Sequence, residues 1–219
     1  ITAGQQSAGR GRRGRGWESP AGSSVYMSIL LRPEIPPVKA PMLTLVMALS
    51  VVRSLKECTG LNVQIKWPND IILNGKKLVG ILTEMSTEID YINHVVIGVG
   101  INVNMEYLPE EIRDKATSLR LETGHVIRRS EIIASTMKEF EKYYGLFIED
   151  QNLESMREEY NTLLVNRGKE VRILGGKEEY NAVALGINEQ GELLVRRKDG
   201  TEEAIFAGEV SVRGVYGYV

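Results

Sequence analysis

The sequence predicts a protein of mixed helices and strands that ends in a small β-barrel. Between residues 1 and 165, strand-like stretches alternate with amphipathic helical stretches. From Asn166 onward, short apolar strands recur between glycine-containing turns, a pattern typical of a small barrel. We therefore expect one domain over residues 1–165 and a second over residues 166–219.

The first helix and its flanking strands have clear local signals. Apolar residues recur at helical spacing between Pro41 and Gly60, with proline at the start and glycine at the stop. Alternating apolar residues predict strands, and Asn74-Gly75 predicts a tight hairpin turn. The predicted strands in this part of the chain are 25–32, 63–67, 70–73, 78–85 and 94–103.

Two further helices and a set of short strands complete the chain. Ser130 is expected to cap a helix that runs to about Tyr144, and a second helix is expected over 152–164. Beyond it, the turns at Gly175-Gly176, Gln190-Gly191 and Asp199-Gly200 separate short apolar strands. These strands are the basis for expecting the barrel.

Composition excludes several classes of protein. The chain has 219 residues, 42% hydrophobic and 26% charged, as in ordinary globular proteins. No apolar run approaches the roughly 20 residues that span a bilayer, so we expect no membrane association. The single cysteine, Cys58, rules out an internal disulfide framework and favours the reducing cytoplasm. The net charge of −2 argues against a dedicated nucleic-acid binder.

The stretch GRGRRGR, residues 9–15, concentrates four arginines and three glycines in a chain that is otherwise slightly acidic. Its G-x-G-x-x-G spacing resembles a dinucleotide fingerprint, but the following proline and glycine indicate a loop rather than the required helix. Non-specific nucleic-acid binding needs more dispersed cations. A loop that folds over one small anion, or a solvated basic loop, remain as the two open interpretations.

Four ordered motifs decide between them. QQSAGRGRRGRGW (5–17), KWPND (66–70), KKLVGIL (76–82) and GVGINV (98–103) together resemble the catalytic core of biotin protein ligases. The resemblance extends from the first residues to the expected barrel. It implies an α+β fold with a mixed β-sheet, related to the cores of class II aminoacyl-tRNA synthetases and lipoate ligases, followed by an SH3-like β-barrel.

The resemblance also implies a reaction in two steps. Biotin's carboxylate attacks the α-phosphate of ATP to give biotinyl-5′-AMP and pyrophosphate, with Mg²⁺ as the companion of ATP. A lysine of a biotin carboxyl carrier protein, or the carrier domain of a carboxylase, then displaces AMP. Such chemistry requires two anions to be brought together and the adenylate to be shielded from water.

Residues of the arginine loop match the family's ligand contacts. The resemblance assigns biotin and adenylate contact to Arg10, Gly11 and Arg12, within a loop that starts at Gly9. Arg13 and Arg15 either assist or are solvated. Two neighbours also match family positions: Gln6 is expected to contact biotin, and Trp17 is expected to cover the adenine.

The strand motifs supply the remaining candidates. Lys77 matches the family's catalytic lysine, which bridges biotin's carboxylate and the α-phosphate; Lys76 should face the other way because strand side chains alternate. Asp70 is expected to hold Mg²⁺ or to polarise the acceptor lysine. Gly80 and Asn102 match positions that approach biotin and the nucleotide. His94 and His125 are isolated, so no zinc site is expected.

The chain departs from the family pattern at its start. The family carries a Ser/Thr-Thr-Asn stretch upstream of the arginine loop, whereas this sequence begins at Ile1, so we expect upstream residues to be missing. Some relatives have an N-terminal DNA-binding domain and act as biotin-responsive repressors; we expect no DNA binding by this chain. A lipoate or octanoate transferase is the nearest rival enzyme. Pairing of sheet edges into a homodimer is a further expectation.

Overall fold

A six-stranded sheet forms the front of the larger part of the protein. The computed structural model describes residues 1–14, 16–174, 179–207 and 211–214. The strands lie in the order β1-β2-β6-β5-β4-β3, and neighbours pair antiparallel. Isolated parallel bridges join Ile65 to Leu164 and Lys77 to Ala116. The strands are β1 (Thr2–Ala3), β2 (Val25–Leu31), β3 (Gln64–Lys66), β4 (Asp70–Leu73), β5 (Lys76–Thr87) and β6 (Ile92–Ile101).

In the described part of the chain, four α-helices accompany this sheet: α1 (Met42–Thr59), α2 (Leu119–Thr123), α3 (Arg129–Asp150) and α4 (Glu154–Leu163). The first packs between β5 and α3. Its residues are buried around nearly the whole circumference, because sheet and helix cover opposite sides. A core of aliphatic side chains therefore fills one face of the sheet and leaves the other face for the candidate site.

The central helix explains one apparent exception to the composition argument. Over the described residues, Pro37–Thr59 contains an 18-residue segment with a mean hydropathy of 1.5, which by length and composition could span a membrane. However, 78% of that segment is buried within the protein, as in a core helix.

A second, smaller antiparallel sheet follows, with strand order β10-β9-β8-β7-β11. The predicted domain division near residue 165 falls in the connection between α4 and this sheet and stays a prediction. The strands of this smaller sheet are β7 (Glu170–Leu174), β8 (Tyr180–Ile187), β9 (Leu193–Arg196), β10 (Glu202–Ile205) and β11 (Ser211–Gly214).

The α+β class and most predicted elements are confirmed. The helix stops at Gly60, whose φ of 70° satisfies the left-handed cap. Asn74 and Gly75 both have positive φ, 50° and 77°, as a two-residue hairpin requires. The expected cap at Ser130 is wrong: α3 begins one residue earlier, at Arg129, and its N-cap residue Arg128 makes no side-chain cap hydrogen bond.

Candidate functional site

The arginine-rich segment folds back on itself as a closed hairpin. The Trp17 amide donates to the Gly9 carbonyl oxygen at 3.0 Å, and Arg10 and Gly16 form an antiparallel bridge. A single 3-10 turn, Arg12–Gly14, forms the tip. Glycine is needed at position 9 because a Cβ there would lie 2.2 Å from the Trp17 carbonyl oxygen. The hairpin thus brings Arg10 and Arg12 over the sheet.

A serine outside the hairpin fixes the orientation of Gln6. The buried Ser19 hydroxyl donates to Gln6 Oε1 at 2.6 Å. This contact occupies Gln6 Oε1, and Gln6 lines the cleft described below, where its side-chain N–H groups can pair with a polar ligand.

The open face of the sheet carries glycines where other strands carry side chains. Gly80 of β5 lies opposite Gly100 of β6 in the register, and Gly98 lies opposite Leu82. The Trp17 indole lies against the first of these pairs. The floor is therefore shallow at one end, where an aromatic ring covers it.

Lys77 and Asp70 form an ion pair beside this floor. Their Nζ and Oδ1 atoms are 2.6 Å apart, and the side chains are 25% and 14% exposed. Lys77 Nζ also lies 5.3 Å from the centroid of the Trp17 ring. Lys76 points away and donates to the Arg113 carbonyl oxygen at 3.1 Å, which confirms the expected division between the two lysines. The Lys77 ammonium group is thus held at the edge of the cleft.

The backbone around Lys77 is held by residues 115–117, for which the sequence predicted no secondary structure. The Lys77 amide donates to the Lys115 carbonyl oxygen at 2.8 Å, and the Thr117 amide donates to the Lys77 carbonyl oxygen at 2.9 Å. A register shift between Ile71 and Ile72 accompanies this pairing. Such irregularities re-aim side chains next to sites.

One cleft collects most of the predicted residues. It encloses about 800 Å³ between hairpin and sheet, part of it open to solvent. Its described lining residues include three cations, Arg10, Arg12 and Lys77, and one carboxylate, the exposed Glu84 of β5. This excess of cations suits an anionic ligand. The predicted residues that line it are Gln6, Arg10, Gly11, Arg12, Trp17, Lys77 and Gly80.

Other predicted residues lie beside the cleft rather than in its wall. Gly9 closes the base of the hairpin, and Asp70 contacts the lysine. Asn102 is 7% exposed, and its amide donates to the Thr117 carbonyl oxygen at 3.0 Å. It therefore supports the segment that holds Lys77. Arg15 and the Arg13 side chain lie outside the described residues.

Several residues that line the cleft were not predicted from the sequence. Asn69 lines the cleft, and its backbone and side chain both bond to the Ile81 backbone, at 2.9 and 3.0 Å. It lies within KWPND, so that motif contained the signal. Ser28, Leu82 and Val96 also line the cleft, but an alternating strand pattern does not say which face is open.

The hairpin tip also reaches the smaller sheet. The Arg12 guanidinium donates a hydrogen bond to the carbonyl oxygen of Ala207, which follows β10. A smaller side cavity, shared by Arg12, Asn69, Leu82 and Ala207, continues from the cleft at this point. The second sheet therefore contributes to the border of the site.

A second polar hollow on the helices has a different character. Arg53 and Tyr143 both bond to the Glu159 carboxylate, the latter at 2.8 Å. Burial, together with this carboxylate, raises the pKa of Tyr143 to about 12. Its lining residues include three cations and three carboxylates, so it lacks the excess of cations found in the main cleft. Over the described residues, no group of three or more His, Cys, Asp or Glu side chains is placed to hold a metal ion.

The family of this chain is shown by two sequence models, one for each part of the chain. A sequence model of the biotin/lipoate A/B protein ligase family matches residues 1–102, and one of the biotin protein ligase C-terminal domain matches residues 168–213. The chain belongs to the biotin protein ligase family.

Individual relatives agree with this assignment. The chain is 31% identical to a biotin–[acetyl-CoA-carboxylase] ligase of Paracoccus denitrificans, over 98% of this chain and 90% of the relative. It superposes on the biotin protein ligase of Aquifex aeolicus in complex with biotin and ATP with a TM-score of 0.86, at 33% identity, covering 97% and 88% of the two chains.

The chain spans only part of the length of some longer relatives. The bifunctional ligase/repressor BirA of Bacillus subtilis is 40% identical over 97% of this chain, yet the match spans 65% of the relative's own length.

Proposed function

We propose that this protein activates biotin with ATP and transfers it to a lysine of a biotin carboxyl carrier protein. A carboxylate oxygen of biotin attacks the α-phosphorus of ATP, and the bond to pyrophosphate breaks. The neutral lysine amine then attacks the acyl carbon of biotinyl-5′-AMP, and AMP and a proton leave. The observation that carries this proposal is the single cleft in which the hairpin arginines and Lys77 converge on a glycine floor.

The position of Lys77 supports its role as the electrostatic clamp. Its ammonium group is partly buried and is held by a carboxylate and by an aromatic face, so it needs little rearrangement to meet a developing negative charge. Arg10 and Arg12 add guanidinium donors suited to carboxylate and phosphate oxygens.

Biotin is proposed to lie toward Gln6 and Gly98, and the nucleotide over Trp17. The Ser19 hydroxyl donates to Gln6 Oε1, which leaves the side-chain N–H groups of Gln6 for a ureido oxygen. The indole offers a flat apolar surface of the kind on which a base stacks.

Mg²⁺ is proposed to arrive with ATP rather than to reside in the protein. Mg²⁺ is commonly held by one or two carboxylates together with substrate phosphates. Asp70 fits the first of these requirements, since it is the carboxylate next to Lys77. When bound, the ion would neutralise phosphate charge. The same position beside Lys77 also supports the other proposed role of Asp70, which is to polarise the acceptor lysine.

The partners and location are further proposals. The acceptor is a carrier domain of a biotin-dependent carboxylase, in keeping with the substrate in the name of the Paracoccus relative. A homodimer formed by pairing of sheet edges is also proposed, since β1 is an edge strand of the six-stranded sheet; a monomeric mass in sedimentation with biotinyl-5′-AMP present would refute it. The free thiol of Cys58 supports a cytoplasmic location.

Biotin-dependent exchange between ATP and labelled pyrophosphate tests the first half-reaction. We expect the full-length gene product to exchange pyrophosphate with biotin and Mg²⁺, and to transfer biotin to a carrier domain afterwards. Equal exchange with lipoate would refute the choice of substrate. No exchange with either acid would refute adenylation itself.

A further inference from the structure

Trp17 lies closer to the sheet than any side chain on the floor would permit. A Cβ built on Gly100 would lie 2.7 Å from both Nε1 and Cε2 of the indole, and one built on Gly80 would lie 2.8 Å from Cζ3. Cβ atoms essentially never approach other heavy atoms within 3.0 Å. Both strands must therefore carry glycine for the ring to occupy this position.

Neither the sheet nor the loop can retreat easily from a methyl group. Gly100 pairs with Tyr26 on one side and with Gly80 on the other, and Gly80 pairs in turn with Asp70. The backbone of Trp17 is bonded to Gly9 at the base of the hairpin. A substitution at either floor glycine would therefore displace the indole itself.

We propose that Gly80 and Gly100 are positioning residues that form a slot for the Trp17 ring and so set the depth of the nucleotide end of the cleft. This inference rests on the proposed function, in which the outer face of Trp17 supports the adenine. A raised ring would take up the space that the base needs.

The two glycines differ in what else they contact. The Cβ of an alanine at position 80 would also lie 3.3 Å from Cε of Lys77, whereas the close contacts at position 100 are all with Trp17. A change at Gly100 should weaken nucleotide binding alone. A change at Gly80 should also disturb the lysine and so lower kcat.

Gly100→Ala in the full-length protein tests the slot; Gly98→Ala is the matched control for the fluorescence measurement only, because Gly98 lies in the proposed biotin site. Gly98 lies two residues away on the same face of β6, but the nearest atom to its Cβ would be the Leu82 carbonyl oxygen at 3.6 Å, an ordinary contact. Intrinsic fluorescence reports the ring directly. The other tryptophan, Trp67, is 1% exposed, bonds to the Gly191 carbonyl oxygen and gives a constant background.

We expect Gly100→Ala to shift the emission to longer wavelength and to increase quenching by acrylamide. In pyrophosphate exchange, the KM for ATP should rise about tenfold, which corresponds to ~1.4 kcal/mol, while the KM for biotin stays nearly constant. Gly98→Ala should leave the emission unchanged. An unchanged KM for ATP in Gly100→Ala, or an unchanged emission spectrum, would overturn the inference.

A double substitution separates a crowded slot from a damaged fold. If the added methyl group acts only through the indole, Trp17→Ala should restore the Tm that Gly100→Ala lowers, and the two effects on the KM for ATP should not add. Additive losses would overturn the inference. Failure of the proposed function is recognised separately, as absence of biotin-dependent exchange in the wild type, while fluorescence and Tm still test the slot.

Discussion

Replacing Lys77 by alanine gives the sharpest test of the proposed chemistry. Removing one preorganised donor from a site of developing negative charge typically costs about 2.7–4 kcal/mol in the transition state, or ~100–1,000-fold in rate. Lys77 is 25% exposed and shares its charge with Asp70, so solvent and the carboxylate screen it in part. We therefore expect the lower end of that range, about 100-fold slower adenylation.

The fold should survive this substitution. The hydrogen bonds from Lys77 to Lys115 and Thr117 use only its backbone, and alanine retains them. The cost in stability comes from Asp70, which is left partly buried without this cation, and should be about 1–2 kcal/mol. Adding Asp70→Asn should recover much of that loss without restoring the rate.

Pyrophosphate exchange and urea unfolding, measured on the same preparations, separate the two effects. Lys76→Ala is the matched control, because Lys76 is the neighbouring lysine and its side chain bonds to the Arg113 carbonyl oxygen outside the cleft. Exchange within about threefold of the wild-type rate in Lys77→Ala would refute the clamp, since even a weak donor contributes more than that. An equal loss in Lys76→Ala would show that the effect is not specific to the cleft.

Three other substitutions test the hairpin, the main helix and the ionisation of a buried tyrosine. Gly9→Ala should open the base of the hairpin, since its Cβ would lie 2.2 Å from the Trp17 carbonyl oxygen, and should weaken biotin binding in calorimetry by about tenfold or more; Gly4→Ala, with no atom within 4 Å of its Cβ, should bind normally. Gly60→Ala meets no atom within 4 Å either, but at φ 70° it should lower the free energy of unfolding by about 1 kcal/mol through backbone strain alone, and an unchanged urea midpoint would contradict this. The pKa of Tyr143 is raised from 10.0 to about 12, so its neutral form stabilises the folded state fully below pH 10, and this contribution is lost as the pH rises to 12. Tyr143→Phe should therefore flatten the fall of Tm between pH 10 and 12. Parallel curves of Tm against pH for the variant and the wild type would contradict this.

The sequence predicted best those features that depend on neighbours along the chain. Gly60 ends α1 and Asn74-Gly75 turns β4 into β5 because both require positive φ, which glycine and asparagine adopt readily. Strand alternation separated Lys76 from Lys77 for the same local reason. These features need no knowledge of the rest of the fold.

Features that depend on distant segments could not be predicted in this way. The sheet order places β6 between β2 and β5, which alternating apolar residues alone do not specify. The pairing of Lys77 with residues 115–117 joins a strand to a loop that has no secondary-structure pattern. Gly80 lines the cleft, but no pattern along the chain indicates that the Trp17 ring lies against it.

The hairpin is held in place by contacts with both parts of the chain. A glycine-rich loop has many conformations to lose on ordering, and each ordered residue costs about 1–2 kcal/mol of backbone entropy. Contacts at both ends offset this cost: Gly9 and Trp17 close the base on the large sheet, and Arg12 reaches Ala207 beside the small one. Because the tip bonds to a backbone carbonyl oxygen, an incoming carboxylate or phosphate can compete for the same guanidinium with a stronger, charge-assisted bond. Under the proposed function, the Arg12 guanidinium exchanges this carbonyl oxygen for the anionic ligand, and the ordered loop then shields the adenylate from water.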